Sequence, residues 1–452
     1  MPDALPRPLA DPDPSIRELI AARPALSLHA RDGLLLEEVP LGQIAAACGT
    51  PAWVIGARTI RARLAALGHA LEGLGAHIHY AVKANDQIAV LSLMAAAGAG
   101  ADIVSAGELL RARHAGIPAA RIVFSGVGKQ PAELRLALAE GVGQFNAESA
   151  EELEMLSAVA AAEGRTASVA LRVNPHVDAG THDKISTGRA GDKFGIPFGD
   201  IPALYARAAG RPGIVPVGLA VHIGSQVMTT GPYRAAYARL AALVRELRAA
   251  GQTVSVLDCG GGLGIPYRDE PVATPAALAG AIRAAFGALG LRLIVEPGRW
   301  LVGPAGVLLA SVVLVKKAPI DPPGGAPFVV LDAGMNDLLR PAMYGAWHGI
   351  VPLDPTRADA PTAPADVVGP VCESADIFAR GRMLPAMAAG DFVAILDAGA
   401  YGSVMSSTYN ARPLAPQVMV DGARWTVIRD RQPAAALWAE ERVPAWQFPT
   451  TR

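Results

Sequence analysis

Short apolar runs rich in β-branched residues recur along the first three hundred residues, and each ends on polar or glycine positions. They are HIHYAVKA (77–84), ADIVSAGE (101–108), RIVFSGVGK (121–129), GQFNAES (143–149), SVALRVNP (168–175), PVGLAVHIGS (216–225), VSVLDCGGG (254–262) and LRLIVEPGR (291–299). Between them lie Ala/Leu/Glu/Arg-rich stretches with helical spacing, such as GELLRARHAG (107–116), SAEELEMLSAVAAAEG (149–164) and YRAAYARLAALVRELRAAG (233–251). Strands alternating with helices imply parallel βαβ units, because a parallel return needs a crossover of a dozen or more residues. Eight such units in succession predict an α/β chain folded as a TIM-like (β/α)₈ barrel; an open doubly wound sheet is the competing topology.

After Arg299 the helical period fades. VLLASVVLVKKA (307–318), FVVLDAG (328–334), DFVAILDAG (391–399) and PQVMVDGARWTVIRD (416–430) read as strands, with a turn at DPPGGAP (321–327) and a surface loop at 353–366. This predicts an antiparallel, sandwich- or barrel-like β-domain. Near the N-terminus, LSLHARDGLLLEEV (26–39) has the pattern of a hairpin around Arg31, Asp32 and Gly33. The expected division is an N-terminal segment, 1–47, joining the β-domain; a barrel, 48–300; and the β-domain proper, 301–452.

Composition narrows the function. Lys and Arg total 40 and Asp and Glu 41 in 452 residues, so nothing marks the chain for nucleic acid or an anionic membrane. Three cysteines (Cys48, Cys259, Cys372) stand far apart, which argues for a reducing compartment rather than a disulfide framework. MPDALPRPLADPDPS has no basic segment followed by an apolar core, and the uncharged run between Arg299 and Lys316 is too short and too interrupted to span a bilayer. The expectation is a cytoplasmic globular protein.

The polar strand ends carry the chemistry. Lys83, Ser105, Ser125, Asn146, Arg172, His222, Gly260–Gly262, Glu296 and Arg299 all fall at or just beyond a strand's C-terminal end. In a barrel those ends share one face, where catalytic groups sit. A lysine is a poor core residue, so one delivered by an apolar strand suggests a task. Three glycines let backbone amides approach an anion. A phosphate-bearing cofactor that also needs a lysine is pyridoxal 5'-phosphate, held as a Schiff base, and Glu296 would pair with its pyridine nitrogen.

The longer motifs carry a resemblance. YAVKAN (80–85), RVNP (172–175), DAGTHDKISTG (178–188), KFGI (193–196), HIGSQ (222–226), GGGLGIPY (260–267), EPGR (296–299), DAGMNDLLRPAMY (332–344), CES (372–374) and DAGAYGSVMSSTYN (397–410) resemble those of the diaminopimelate decarboxylases. These belong to the alanine-racemase-like, fold type III group of pyridoxal-phosphate enzymes. The resemblance spans residues 30 to 430 or so; Ala106, Trp347 and Ala375 depart from the usual residues. It implies conversion of meso-2,6-diaminopimelate to L-lysine and CO₂, the last step of lysine synthesis. It also implies roles by position. Lys83 would carry the cofactor and His222 would stack on its ring. Ser225, Gly260, Gly261 and Gly262 would surround its phosphate, and Glu296 would meet its nitrogen. Arg299, Arg340 and Tyr344 would hold substrate carboxylate and Glu373 a substrate ammonium, with Tyr401 near both. Cys372, a catalytic group, and Glu373 would come from the second subunit of a homodimer with shared sites. No metal is implied.

Taken singly, each residue has a plainer reading. A strand-end lysine usually snorkels to the surface, a lone histidine is usually a satisfied core residue, and a free cysteine is usually a small hydrophobe. Joint placement on one barrel face and the long motifs favour the catalytic reading. Competing functions are a fold type III decarboxylase of ornithine, arginine or a D-amino acid; a racemase, which would generally place arginine rather than Glu296 at the ring nitrogen; and a catalytically silent binding protein.

Overall fold

The structure, a computed structural model, describes residues 13–180, 182, 184, 187–189, 191–317 and 325–447. The stretch read for a leader, the turn at 321–327 and the motif at 178–188 lie wholly or partly outside the described residues. The described residues form two compact units. One comprises Gly56–Gly306 with Asp397–Val404; the other comprises those of Met1–Ile55, Val307–Leu396 and Met405–Arg452.

The first unit is a closed barrel of eight parallel strands: β1 (Ala76–Ala81), β2 (Gly100–Ile103), β3 (Ile122–Phe124), β4 (Gln144–Ala147), β5 (Ala167–Asn174), β6 (Ile214–Ala220), β7 (Val256–Asp258) and β8 (Arg292–Val295). Neighbours pair in chain order, and β8 returns to β1 with Leu293 opposite Ala76, closing the ring. All eight expected strands are present. β2, β3, β4 and β7 are buried at every position, as strands covered on both faces must be, so apolar residues dominate the runs around them and the polar ones inside, such as Asp102, Asn146 and Asp258, are buried too. Helices return the chain between them, and polar strand ends start several of these helices. Ser105 caps Ala106–His114 by accepting from the Glu108 amide, and Ser149 caps Ala150–Ala162 by accepting from the Glu152 amide. Ser105, expected on the catalytic face, serves as that cap.

The second unit is built on a nine-stranded sheet. Its main path runs 377–385, 362–368, 328–331, 306–316, 52–56, 417–421, 424–429, with 392–395 pairing both 306–316 and 350–352. The sheet is mixed: 328–331 and 362–368 pair in parallel, whereas 306–316 with 328–331 and 392–395, 350–352 with 392–395, 362–368 with 377–385, and 417–421 with 424–429 pair antiparallel. Strand 52–56 belongs here, so the barrel unit starts at Gly56 rather than the expected 48, and it also takes in Asp397–Val404. The hairpin Leu26–His29/Gly33–Leu36 and the helix Leu41–Cys48 after it pack into this unit's core, where Leu34, Leu36, Leu41 and Ile44 cluster with Val307, Leu309, Leu396 and Val418. The loop expected at 353–366 is shorter, because Thr362–Val368 is a strand.

Candidate active site

The lysine that ends the apolar run is aimed by its neighbours. β1 stops at Ala81, and a 3₁₀ turn, Val82–Ala84, carries Lys83. Asn85 fixes that turn, donating from Nδ2 to the Gly399 carbonyl at 3.0 Å, while the Tyr401 amide donates to the Ala84 carbonyl at 2.8 Å. Lys83, with about a third of its side chain exposed, donates from Nζ to Asp102 Oδ2 at 2.5 Å. Burial works against the ammonium, but Asp102, Glu296 and Tyr401 outweigh it and hold the Lys83 pKa above the ordinary lysine range.

Below Lys83 lies an acidic pair. Glu296, at the end of β8, and Asp258, at the end of β7, are hydrogen-bonded to each other, and both pKa values are raised, chiefly by burial. Asp258 accepts from Asn146 Nδ2 at 2.9 Å and from the Gly260 amide at 3.0 Å, so it is the better hydrogen-bonded member and carries the charge. Glu296 therefore holds the shared proton. Its Oε1 is buried without a hydrogen-bond partner, a cost borne in native proteins where a ligand completes the set.

His222 follows β6. Its Nδ1 accepts from the Gly261 amide at 3.2 Å, which places the ring proton on Nε2. Burial, then Arg172 and Lys83, hold its pKa well below the usual histidine value, so the imidazole is neutral. The glycine run also answers a steric requirement. A Cβ at Gly260, Gly261 or Gly262 would lie 2.1, 1.9 or 2.1 Å from the carbonyl oxygens of Val221, Glu296 and Gly224. The run is glycine because neighbouring strand ends pass against it. Two of its amides are already engaged, one by Asp258 and one by His222.

Arg299, 5% exposed, begins the short helix after β8. It donates to the Tyr267 hydroxyl at 2.6 Å and to Ser225 Oγ at 2.9 Å, and its guanidinium lies 4.7 Å from the Tyr401 ring centroid. Tyr401 itself has left-handed backbone, φ 54°, a strain common at functional sites. Lys83, Asp102, Ser125, Asn146, Arg172, His222 and Glu296 line one cavity of about 170 Å³.

The remaining expected residues lie in the sheet unit. Arg340 opens the helix Arg340–Tyr344; the i, i+4 spacing puts Arg340 and Tyr344 on one face. Arg340 is 5% exposed, and Tyr344 is half-buried. Cys372 and Glu373 are exposed. Their loop is tied down by Asp376, which accepts from the Met335 and Val371 amides at 2.6 Å each, and by Asn410, whose Oδ1 accepts from the Cys372 amide at 2.8 Å.

Asp102 and Asp258 escaped the sequence reading. The signal was present, since each is a lone acid inside an apolar strand, where an unpaired charge is costly. Taken together, the barrel residues fit a pyridoxal group. There is an amine at the cavity, a buried carboxyl with an open oxygen for a ring nitrogen, and a neutral imidazole to lie against a ring.

A family model for the pyridoxal binding domain of pyridoxal-dependent decarboxylases matches residues 57–303. A diaminopimelate decarboxylase of Zymomonas mobilis is 46% identical over 418 residues, covering 91% of this chain and 97% of the relative. Two solved structures described as complexes with L-lysine are similar throughout. Diaminopimelate decarboxylase from Helicobacter pylori superposes with a TM-score of 0.84 at 37% identity, covering 89% of this chain and 99% of that one. The enzyme from M. jannaschii gives 0.88 at 33% identity, covering 94% and 100%.

Proposed function

Since this chain belongs to the diaminopimelate decarboxylases, pyridoxal-dependent enzymes, we propose how its residues divide that family's work. The chain is a pyridoxal 5'-phosphate-dependent carboxy-lyase that converts meso-2,6-diaminopimelate to L-lysine and CO₂. The observation that carries the site assignment is the cavity shared by Lys83 and Glu296, with its open Oε1.

The cofactor, when bound, supplies an electron sink for the pair left at Cα as CO₂ departs. Lys83 would hold it through Nζ, with Asp102 keeping that nitrogen aimed at the cavity. Glu296 would face the pyridine nitrogen and share a proton with it at Oε1, and Asp258 beneath would carry the compensating charge. His222, neutral and fixed by Gly261, would lie against the ring. Ser225 and the Gly260–Gly262 run would bound the phosphate, with Gly262 offering its amide. Arg299, oriented by Tyr267 and Ser225, would take a substrate carboxylate, and Tyr401 would bridge cofactor and substrate.

Arg340 and Tyr344 would hold the carboxylate at the substrate's far end, and Glu373 the ammonium there. Cys372, exposed on its tethered loop, would donate a proton to Cα or position the group that does. A twofold homodimer, each sheet unit completing the partner's barrel, would explain why Cys372 and Glu373 stand exposed. Three free cysteines, and the lack among the described residues of a helix able to cross a membrane, are consistent with a cytoplasmic enzyme.

The direct test is CO₂ release from a panel of amino acids. A site built to pair a second carboxylate leaves cations unpaired when ornithine or lysine binds, a large penalty. Diaminopimelate should therefore be far the best substrate; equal or faster release from ornithine or arginine would refute the assignment.

A further inference from the structure

We propose that His348 is a positioning residue for substrate recognition. It fixes the guanidinium of Arg340 and so sets the enzyme's grip on the far carboxylate. The inference rests on the reading of Arg340 as a carboxylate ligand.

His348 is 2% exposed. Its Nδ1 lies 2.7 Å from the Leu396 carbonyl oxygen, which can only accept, so Nδ1 carries a proton. Its Nε2 lies 2.6 Å from Arg340 Nη1, which can only donate, so Nε2 presents a lone pair. One neutral tautomer satisfies both neighbours. A doubly protonated ring would set an N–H against the guanidinium and place two cations in contact in a buried site.

The chain of bonds is anchored on rigid backbone. The Leu396 amide donates to the Gly349 carbonyl at 2.8 Å, extending the ladder in which Ile350 faces Ile395. Arg382 donates to the His348 carbonyl at 2.8 Å and lies 4.1 Å from the Trp347 ring centroid, which steadies the backbone on the other side. Trp347 is one of the departures from the usual family residues, and this packing accounts for an aromatic there. Arg340 sits on a helix of only five residues, ended by left-handed Gly345. So short a helix restrains a long side chain poorly. The bond to His348 adds a restraint at Nη1 that limits rotation of the guanidinium fork. A fork held in plane suits bidentate contact with a carboxylate, and a fork free to rotate loses that selectivity.

The experiment uses the pyridoxal-phosphate-loaded enzyme and two ligands that differ by one carboxylate. L-Lysine keeps the carboxylate of the far end; 1,5-diaminopentane lacks it. Calorimetric affinities for both, and KM and kcat for diaminopimelate, are measured for the wild type, His348→Leu, His348→Asn, His348→Gln and Arg340→Ala. Glutamine can place an oxygen near the Nε2 position and accept from Arg340. Asparagine reaches only the Nδ1 position and serves the Leu396 carbonyl alone. His348→Leu and His348→Asn should lose roughly tenfold or more of lysine's advantage over diaminopentane, the size of a hydrogen bond to a charged group. KM should rise more than kcat falls, and His348→Gln should recover most of the loss. Rescue by asparagine but not glutamine, or unchanged discrimination in His348→Leu, would overturn the proposal. Arg340→Ala separates the two levels. If it leaves lysine's advantage intact, the reading of Arg340 fails; if it abolishes the advantage while His348→Leu does not, only the role of His348 fails.

Discussion

Gly261→Ala puts the smallest possible side chain where two strand ends cross. The added Cβ would stand 1.9 Å from the Glu296 carbonyl oxygen and 2.8 Å from its carbon. Ordinary contact begins at 3.4 Å, so the two segments must part by roughly 1.5 Å (3.4 less 1.9). Neither side yields easily. The Glu296 amide donates to the Gly260 carbonyl at 2.8 Å, and Tyr233 donates to the Gly261 carbonyl at 3.1 Å. The same shift would pull the Gly261 amide from His222 Nδ1, releasing the imidazole's tautomer, and would move Glu296 relative to the cofactor ring. Displacement of a catalytic group by about 1 Å costs on the order of 100-fold in rate, and overpacking of this kind costs roughly 1–3 kcal/mol of stability. The assay is CO₂ release under saturating diaminopimelate, beside a melting curve. Gly280→Ala, where a Cβ meets nothing within 4 Å, serves as the control. Gly261→Ala should stay folded, melt lower and lose about two orders of magnitude in kcat. Wild-type kcat in that variant would refute the claim that strand crowding positions Glu296.

Three further outcomes follow from the same geometry. Glu296→Gln, nearly isosteric, should bind pyridoxal 5'-phosphate yet turn over roughly 100- to 1,000-fold more slowly, the usual cost of one lost electrostatic partner; near-wild-type turnover would remove Glu296 from the ring nitrogen. His79, 5% exposed on β1, has its pKa lowered from 6.5 to about 4, mainly by burial and then by Arg292. The folded state thus binds fewer protons than the unfolded one between those values, so stability is present above pH 6.5 and lost as pH falls through 4, by about 3 kcal/mol at most. Chemical unfolding at pH 7.5 and pH 4 should show that loss in the wild type and a smaller one in His79→Gln; equal losses would contradict it. Mixing Lys83→Ala with Cys372→Ala should restore roughly a quarter of wild-type activity, since half the dimers would be mixed with one intact site each; no recovery despite demonstrated subunit exchange would mean that each site is built from one chain.

The barrel was legible because parallel strands buried on both faces leave short, mainly apolar runs at regular intervals, and because each run ends where the chain must turn. Lys83 was legible for the same reason, as a charge delivered by such a run. Asp102 and Asp258 were not, because their meaning lies in partners far along the chain: Lys83 is 19 residues from Asp102, and Asn146 is 112 from Asp258. The sheet unit hid one of its strands. Pro361, Pro364 and the acidic residues around them read as a loop, yet 362–365 pair with 382–385 on one side only, and the parallel partner begins at Asp366. A proline costs little where one side of the strand is unpaired. The glycine run was legible, but its steric side was not, because a requirement set by Val221, Glu296 and Gly224 appears only once the strands are assembled.

Lys83, aimed by its 3₁₀ turn and paired with Asp102, is the residue we propose carries the cofactor. Borohydride reduction of the pyridoxal-phosphate-loaded enzyme, followed by digestion and mass spectrometry, tests it directly. The pyridoxyl group should be found on Lys83 and be absent from Lys83→Ala; a pyridoxyl group on any other lysine of the wild-type enzyme would contradict the account.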